Sequence, residues 1–352
     1  MDTSHVLSKD DVYRWADDLV GRFRVFGPVL QKRNQTTFES IQAGGQLNLD
    51  YCSTMLSPRS FIYPSVQKLL EIDRKANTYK VVDPGPEQTQ LIFAIHPCDM
   101  HAITVLDRTF LGDFQDYYYS KLRQGTRTVV LNCNRACDKG FCPSMGTGPF
   151  LKIQEGYDIV MTALGDEFLL QAGSQRGREL IEAAPGVEAA TEEHLQRKVA
   201  IERQAVASFQ KSIDVQGLPE LLMQTFDHPV YKEVAEERCL GCTNCTMVCP
   251  TCYCYNVMDR SNFGPTKVER GRQWDSCQDL SFAQVHTGNF REPQQARLRQ
   301  FLTHKLCTWL EQYGCFGCIG CGRCMTWCPT GIDIIDMAKE IQRAPTRGLE
   351  QE

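Results

Sequence analysis

The chain has 352 residues, 42% of them hydrophobic and 23% charged, with 38 basic against 43 acidic side chains and a formal net charge of -5. It is long enough for two domains with real cores, lacks the basic excess that phosphate binding asks for, so nucleic acid is not an expected partner, and has no apolar run near the ~20 residues of a membrane span. Its polar start, MDTSHVLSKDDVYRWADD, is no signal peptide, so a cytoplasmic location is expected.

In chain order, Ser8 with Asp11 predicts a capped helix whose Val12, Trp15, Leu19 and Phe23 keep helical spacing until Gly27-Pro28 stops it. KVVD (80–83), LIFAI (91–95) and TVVLN (128–132) read as buried strands. Helical sequence between the last two makes them parallel neighbours joined by a crossover, with Cys98 and Cys133 just past their carboxyl ends. Residues 157–173 read as a hairpin and 191–238 as mostly helical. PQQARLRQFLTHKLCTWLEQYG predicts a helix from Pro293 to Gly314, with Leu298, Leu302, Leu306 and Trp309 on one face and Cys307 opposite, a bystander.

Cysteine usage changes abruptly: five lie before residue 231 and thirteen after it. The expected organisation is an α/β (α+β) domain over 1–230 and a helical, loop-rich domain over 231–345. In a reducing compartment such density reads as metal binding before disulfides.

The strongest signal occurs twice, as CLGCTNCTMVCP (239–250) and CIGCGRCMTWCP (318–329). Both read C-x2-C-x2-C-x3-C-P, the bacterial-ferredoxin spacing for [4Fe-4S] cubes. Three thiolates two residues apart on a tight loop reach three corners of one cube, and the fourth cysteine crosses to the other. Cluster one is then held by Cys239, Cys242, Cys245 and Cys328, and cluster two by Cys318, Cys321, Cys324 and Cys249. Structural zinc uses separated cysteine pairs and suits this crowding less well. The module is a ferredoxin split by the 68 residues between Cys249 and Cys318. Cys315 is a spare.

Cys98, Cys133, Cys137 and Cys142 form a second constellation, expected at the carboxyl edge of the parallel sheet, where open α/β folds place sites. They read either as ligands of a third cluster or, more plainly, as buried small hydrophobes and free thiols. Cys252, Cys254 and Cys277 lack an evident fourth partner, and packing is slightly favoured over metal binding. Cys52 has no partner and reads as structural. Among the scattered histidines, His96 and His101 flank Cys98 and are candidates only for donation to a cluster sulfur. There is no G-x-G-x-x-G after a strand and no P-loop, so the chain is expected to carry electrons and to have no catalytic residue of its own.

The segments HPCDMHAITVLDRTFL, FCPSMGTGP, CPTCYCYNVMD, RGRQWDSC, REPQQARLRQFLTHK and CIGCGRCMTWCPTGIDI together resemble the beta subunits of cytosolic multimeric nickel-iron hydrogenases (sulfhydrogenases) and the electron-input subunits of anaerobic sulfite reductases. The resemblance spans nearly the whole chain. It implies an electron-transfer subunit between a flavin subunit that handles NAD(P)H and a catalytic partner, either a nickel-iron module or a siroheme sulfite reductase subunit, with a free ferredoxin-like carrier as the alternative of another class. Family members show C-F-C ahead of SMGTG, where this chain has Gly140-Phe141-Cys142. Either Cys137 replaces the missing cysteine, or Asp99 or Asp138 does, or a third cluster is lost. The resemblance also makes Cys252, Cys254 and Cys277 recurring features.

Overall fold

The computed structural model describes residues 4–85, 88–261, 264 and 266–345; Met1 to Thr3 of the polar start lie outside them. A strand, β1 (His5–Ser8), leads directly into α1 (Lys9–Val20), whose first turn is capped by the Ser8 hydroxyl accepting from the Asp11 N–H. The helix ends at Gly21, earlier than expected. Gly27 and Pro28 lie inside β2 (Arg24–Leu30) instead, because antiparallel pairing with β3 (Thr36–Ser40) claims that segment.

Next come β4 (Val66–Asp73), β5 (Thr78–Val81), β6 (Gln90–Ile95), α2 (Pro97–Phe110), α3 (Tyr117–Gln124), β7 (Thr126–Leu131), the hairpin β8 (Ile159–Ala163) and β9 (Glu167–Ala172), α4 (Gln175–Glu182) and β10 (Glu188–Ala189). Eight of these strands form one sheet in the order β10-β1-β9-β8-β7-β6-β2-β3. Its centre, β2-β6-β7-β8, is parallel. Period-two alternation decides the faces: Leu91, Phe93, Val129 and Leu131 pack with α1 and α4, while Ile92 and Val130 pack with α2 and α3. Both faces are covered, as a parallel centre requires.

The second part holds α5 (Glu192–Ala207), α6 (Leu218–Gln224), α7 (Val230–Glu237), α8 (Asn244–Met247), β11 (Tyr255–Ser261), β12 (Lys267–Trp274), α9 (Gln294–Thr303), α10 (Trp309–Tyr313), α11 (Arg323–Thr326) and α12 (Ile334–Arg343). Helices α6, α7, α9 and α12 enclose one apolar core, with the cysteine loops along its edge. A second sheet, β11-β12-β4-β5, joins strands from both halves of the chain. β5, which contains Lys80 and Val81 of KVVD, is an exposed edge strand of that sheet and not a buried one. No helix among the described residues is long and apolar enough to cross a membrane.

Between α9 and α10 the helix takes a π turn, His304–Thr308. The extra residue rotates the next turn by roughly one 100° step. Trp309 therefore leaves the face of Leu298, Leu302 and Leu306 for a separate small cluster, and Cys307 joins that face, buried. A uniform helical phase had put them the other way round.

Candidate metal centres

Each cysteine motif folds as a loop closed by one turn of helix. Gly241 and Thr243 in the first, and Gly320 and Gly322 in the second, take left-handed backbone at matching positions just before α8 and α11. That shared conformation swings the third cysteine back toward the first two. The motifs interlock: the Asn244 amide donates to the Trp327 carbonyl, and Arg238, just before the first motif, donates to the carbonyls of Thr330 (3.1 Å) and Gly331 (2.6 Å).

Cys239, Cys242, Cys245 and Cys328 line one cavity, closed by Leu298, Phe301, Ile332 and Ile334. Cys242 is exposed, so this site reaches the protein surface. Cys245 is pushed up to about 12 by burial and then by Cys239, Cys249, Cys242 and Cys328. The Ile332 N–H donates to Cys328 Sγ (3.3 Å), and the Thr330 hydroxyl lies 3.5 Å from the same sulfur.

Cys249 joins the other loop. Burial first, then Cys318, Cys249, Cys321 and Cys245, raises the Cys324 thiol well above the ordinary range, which places Cys324 between the thiols of the two motifs. Cys318, Cys321 and Cys324 are half-buried, and burial is the main influence on each. The Gly320 N–H donates to Cys318 Sγ (3.4 Å), and the Thr251 hydroxyl lies 3.3 Å from Cys249 Sγ. That hydroxyl also contacts the Gly317 carbonyl (2.5 Å) and accepts from the Lys305 ammonium (2.8 Å). Burial opposes the charge on Lys305, but Cys249, Cys252 and Cys318 outweigh it and hold its pKa above the usual lysine range.

The second loop is packed into the α/β region. The Phe141 N–H donates to the Gly320 carbonyl (2.7 Å). A Cβ on Gly320 would lie 2.7 Å from the Cys142 backbone, and one on Gly322 would lie 2.4 Å from the Lys139 carbonyl. Arg323, between two of the loop's cysteines, is fully buried and forks onto both Asp99 oxygens (2.8 and 2.7 Å) while its Nε donates to the Thr54 carbonyl (2.7 Å).

Asp99 follows Cys98 at the start of α2. A bulge in β6, with Ala94 in left-handed backbone, precedes this turn and re-aims it. Cys98 and Cys133 sit past the carboxyl ends of β6 and β7. Cys142 is pushed up to about 12 by burial and then by Cys321, its neighbour across the contact with the second loop. Cys133 lies near Cys142 and Cys52, and Cys137 near Cys52, Cys133 and Cys98. Cys52 thus has partners, contrary to expectation. A hydrogen bond from Cys137, opposed by burial and aided by Arg135, lowers its thiol to about 5. No spacing signal connects Cys52 to residues more than forty positions on; only the fold does. Of the two acidic alternatives, Asp99 is committed to Arg323 and the Asp138 carboxylate is exposed.

Cys252 is hydrogen-bonded to Cys249, and Cys254 to Cys277, with Lys305 near all four. Cys254 is lowered to about 7 by the Cys277 bond. The Arg59 guanidinium donates to the Cys252 carbonyl, anchoring this segment to the first half of the chain. Cys315 packs with Val105 and Trp309, near Arg108. His96 stacks on Tyr51 at 3.9 Å, and burial lowers it to about 4.

Among the described residues no three His, Cys, Asp or Glu side chains converge tightly enough to hold a single metal ion. The first set of thiols lines a cavity instead, backbone N–H groups turn toward sulfur in both motifs, and the residues present fit two [4Fe-4S] cubes. The family model described as "4Fe-4S dicluster domain" matches residues 238–332. Sulfhydrogenase 2 subunit beta of Pyrococcus furiosus is 33% identical over 325 residues, covering 91% of this chain and 92% of that protein. The chain therefore carries two [4Fe-4S] clusters on a ferredoxin-type module behind a mixed α/β region.

Proposed function

The chain belongs to the sulfhydrogenase beta-subunit family, and on that premise we propose that it relays single electrons between a flavin subunit handling NAD(P)H and the nickel-iron module of a cytoplasmic hydrogenase complex. Cys239, Cys242, Cys245 and Cys328 hold one cube, and Cys249, Cys318, Cys321 and Cys324 the other. Cys98, Cys133 and Cys142, with Cys137 or Cys52 in the fourth position, hold a third. Residues 1–230 and 231–345 act as the two functional units. Cys252, Cys254 and Cys277 line the second site without ligating it.

Bound there, the cubes supply one-electron transfer, and the remaining work belongs to the polypeptide. Leu298, Phe301 and Ile334 exclude water from the first site. The N–H groups of Ile332 and Gly320 support negative charge on sulfur. Arg323 and Asp99 lock the second loop to the start of α2.

One observation carries the reading: neighbouring thiols form an unbroken series from exposed Cys242 through Cys245, Cys324 and Cys321 to Cys142 and Cys133. Such a series suits a conductor from the protein surface into the α/β region. The test is anaerobic purification of the native assembly. Nickel-iron and flavin subunits should co-purify, with about twelve iron atoms on this chain if three cubes are present and about eight if two. Co-purification with a siroheme protein, or NADPH oxidation by this chain alone, would overturn the proposal.

A further inference from the structure

Lys305 is a charged feature of the second site that ligation does not explain. Its side chain is 3% exposed. A buried ammonium is costly unless an opposite charge compensates it, and among the described residues no carboxylate pairs with Lys305. Its neighbours are the Thr251 hydroxyl, the Trp309 ring at 4.5 Å, and the sulfurs of Cys249, Cys252 and Cys318. Two of those sulfurs belong to the proposed second set of ligands, on which this inference rests.

The backbone is arranged for the same end. Lys305 lies in the π turn, a local irregularity common at functional positions, and its carbonyl accepts from the Cys318 N–H (3.1 Å). The residue is thus held at both ends, its ammonium by Thr251 beside Cys249 and its carbonyl by Cys318. A methionine would fill the space without the desolvation cost, so the charge itself needs a reason.

The two sites differ here. Cys249 and Cys328 occupy equivalent positions, each with a threonine hydroxyl near its sulfur. Only Thr251 also carries an ammonium. Two other cations lie close to the second site: Arg323 is neutralised by Asp99, and buried Arg59 directs its guanidinium to the Cys252 carbonyl and the Trp274 ring and not to a ligand sulfur. Near the first site, Arg238 is exposed and spends its donors on backbone carbonyls.

We propose that Lys305 is a positioning residue for charge: it sets an uncompensated cation against Cys249 and Cys318 and makes the buried second site easier to reduce than the first. A reduced cube carries one more negative charge, and a fixed cation in a low-dielectric interior favours it.

The test is a redox titration of the full chain, followed by electron paramagnetic resonance, comparing the unmodified protein with Lys305→Met and Lys305→Arg. Cys242→Ser, which perturbs the exposed site, identifies the signal of the first cluster. In Lys305→Met the other cluster should become at least about tenfold harder to reduce, ~59 mV for one electron, with iron content and the first signal unchanged. Lys305→Arg should keep the original midpoint. Unchanged midpoints in Lys305→Met, or equal shifts in both clusters, would overturn the inference. If Lys305→Met cannot assemble the second cluster, assembly at the original midpoint in Lys305→Arg supports the charge role, and loss in both variants sinks it. Iron for only one cube in the unmodified chain would instead defeat the ligand assignment beneath it.

Discussion

CLGCTNCTMVCP and CIGCGRCMTWCP share their cysteine spacing, their proline and the threonine that comes after it, yet they sit in opposite surroundings. The first presents Cys242 to solvent, and a Cβ added at its Gly241 would meet nothing closer than the Gln294 side chain at 3.7 Å. The second is packed against the loop before Cys142, is clamped by Arg323 to Asp99, and faces Lys305. Equal spacing therefore builds two similar loops, and the neighbours make them unequal: one reaches solvent, the other faces the α/β region.

The largest effect that would test this contrast is at the clamp. Arg323→Ala leaves Asp99 buried and unpaired and should cost ~3–5 kcal/mol, read as a lower denaturation midpoint. Asn244→Ala, the matching position of the first loop, should cost ~1 kcal/mol. Joint replacement of Asp99 and Arg323 by apolar residues of similar volume should recover most of the stability; if it does not, the pair does more than compensate charge.

Glycine substitutions come next. Ala at Gly241 or Gly320 pays ~1–2 kcal/mol for left-handed backbone, but at Gly320 the added carbon also meets the Cys142 backbone. Gly320→Ala should therefore be the more destabilising and should loosen the packing of the two halves, seen as faster amide exchange around Phe141. Equal effects at the two positions would show that this contact is dispensable.

The threonines give a smaller difference. Thr251→Val removes the oxygen partner of the Lys305 ammonium and should cost ~1–3 kcal/mol, whereas Thr330→Val, with no ammonium to strand, should cost under ~1 kcal/mol. The mildest comparison is chemical: in the cluster-free protein exposed Cys242 should be alkylated well before Cys318, whose thiol burial raises, as mass spectrometry of a time course would reveal.

The cysteine spacing was legible because three thiols set two residues apart on one tight loop are a local matter, written in consecutive residues. The parallel strands at 91–95 and 128–132 and the hairpin at 157–173 were legible from apolar runs and alternation. The exposure of β5 and the continuation of β2 through Gly27-Pro28 depend on which strand lies alongside. The π turn defeated the helical phase at Cys307 and Trp309, since one inserted residue leaves no mark in periodicity.

By itself, then, the sequence determined that this chain holds two [4Fe-4S] clusters, which cysteines are candidates for each, and that a mixed α/β region precedes them. Only the tertiary structure decided which site is exposed, that Cys52 stands beside Cys137, that Arg323 reaches Asp99, and that Lys305 faces Cys249 and Cys318. The division has one physical cause: ligand geometry within a loop is set by neighbours in the chain, whereas burial and charge are set by whatever distant segment the fold brings alongside.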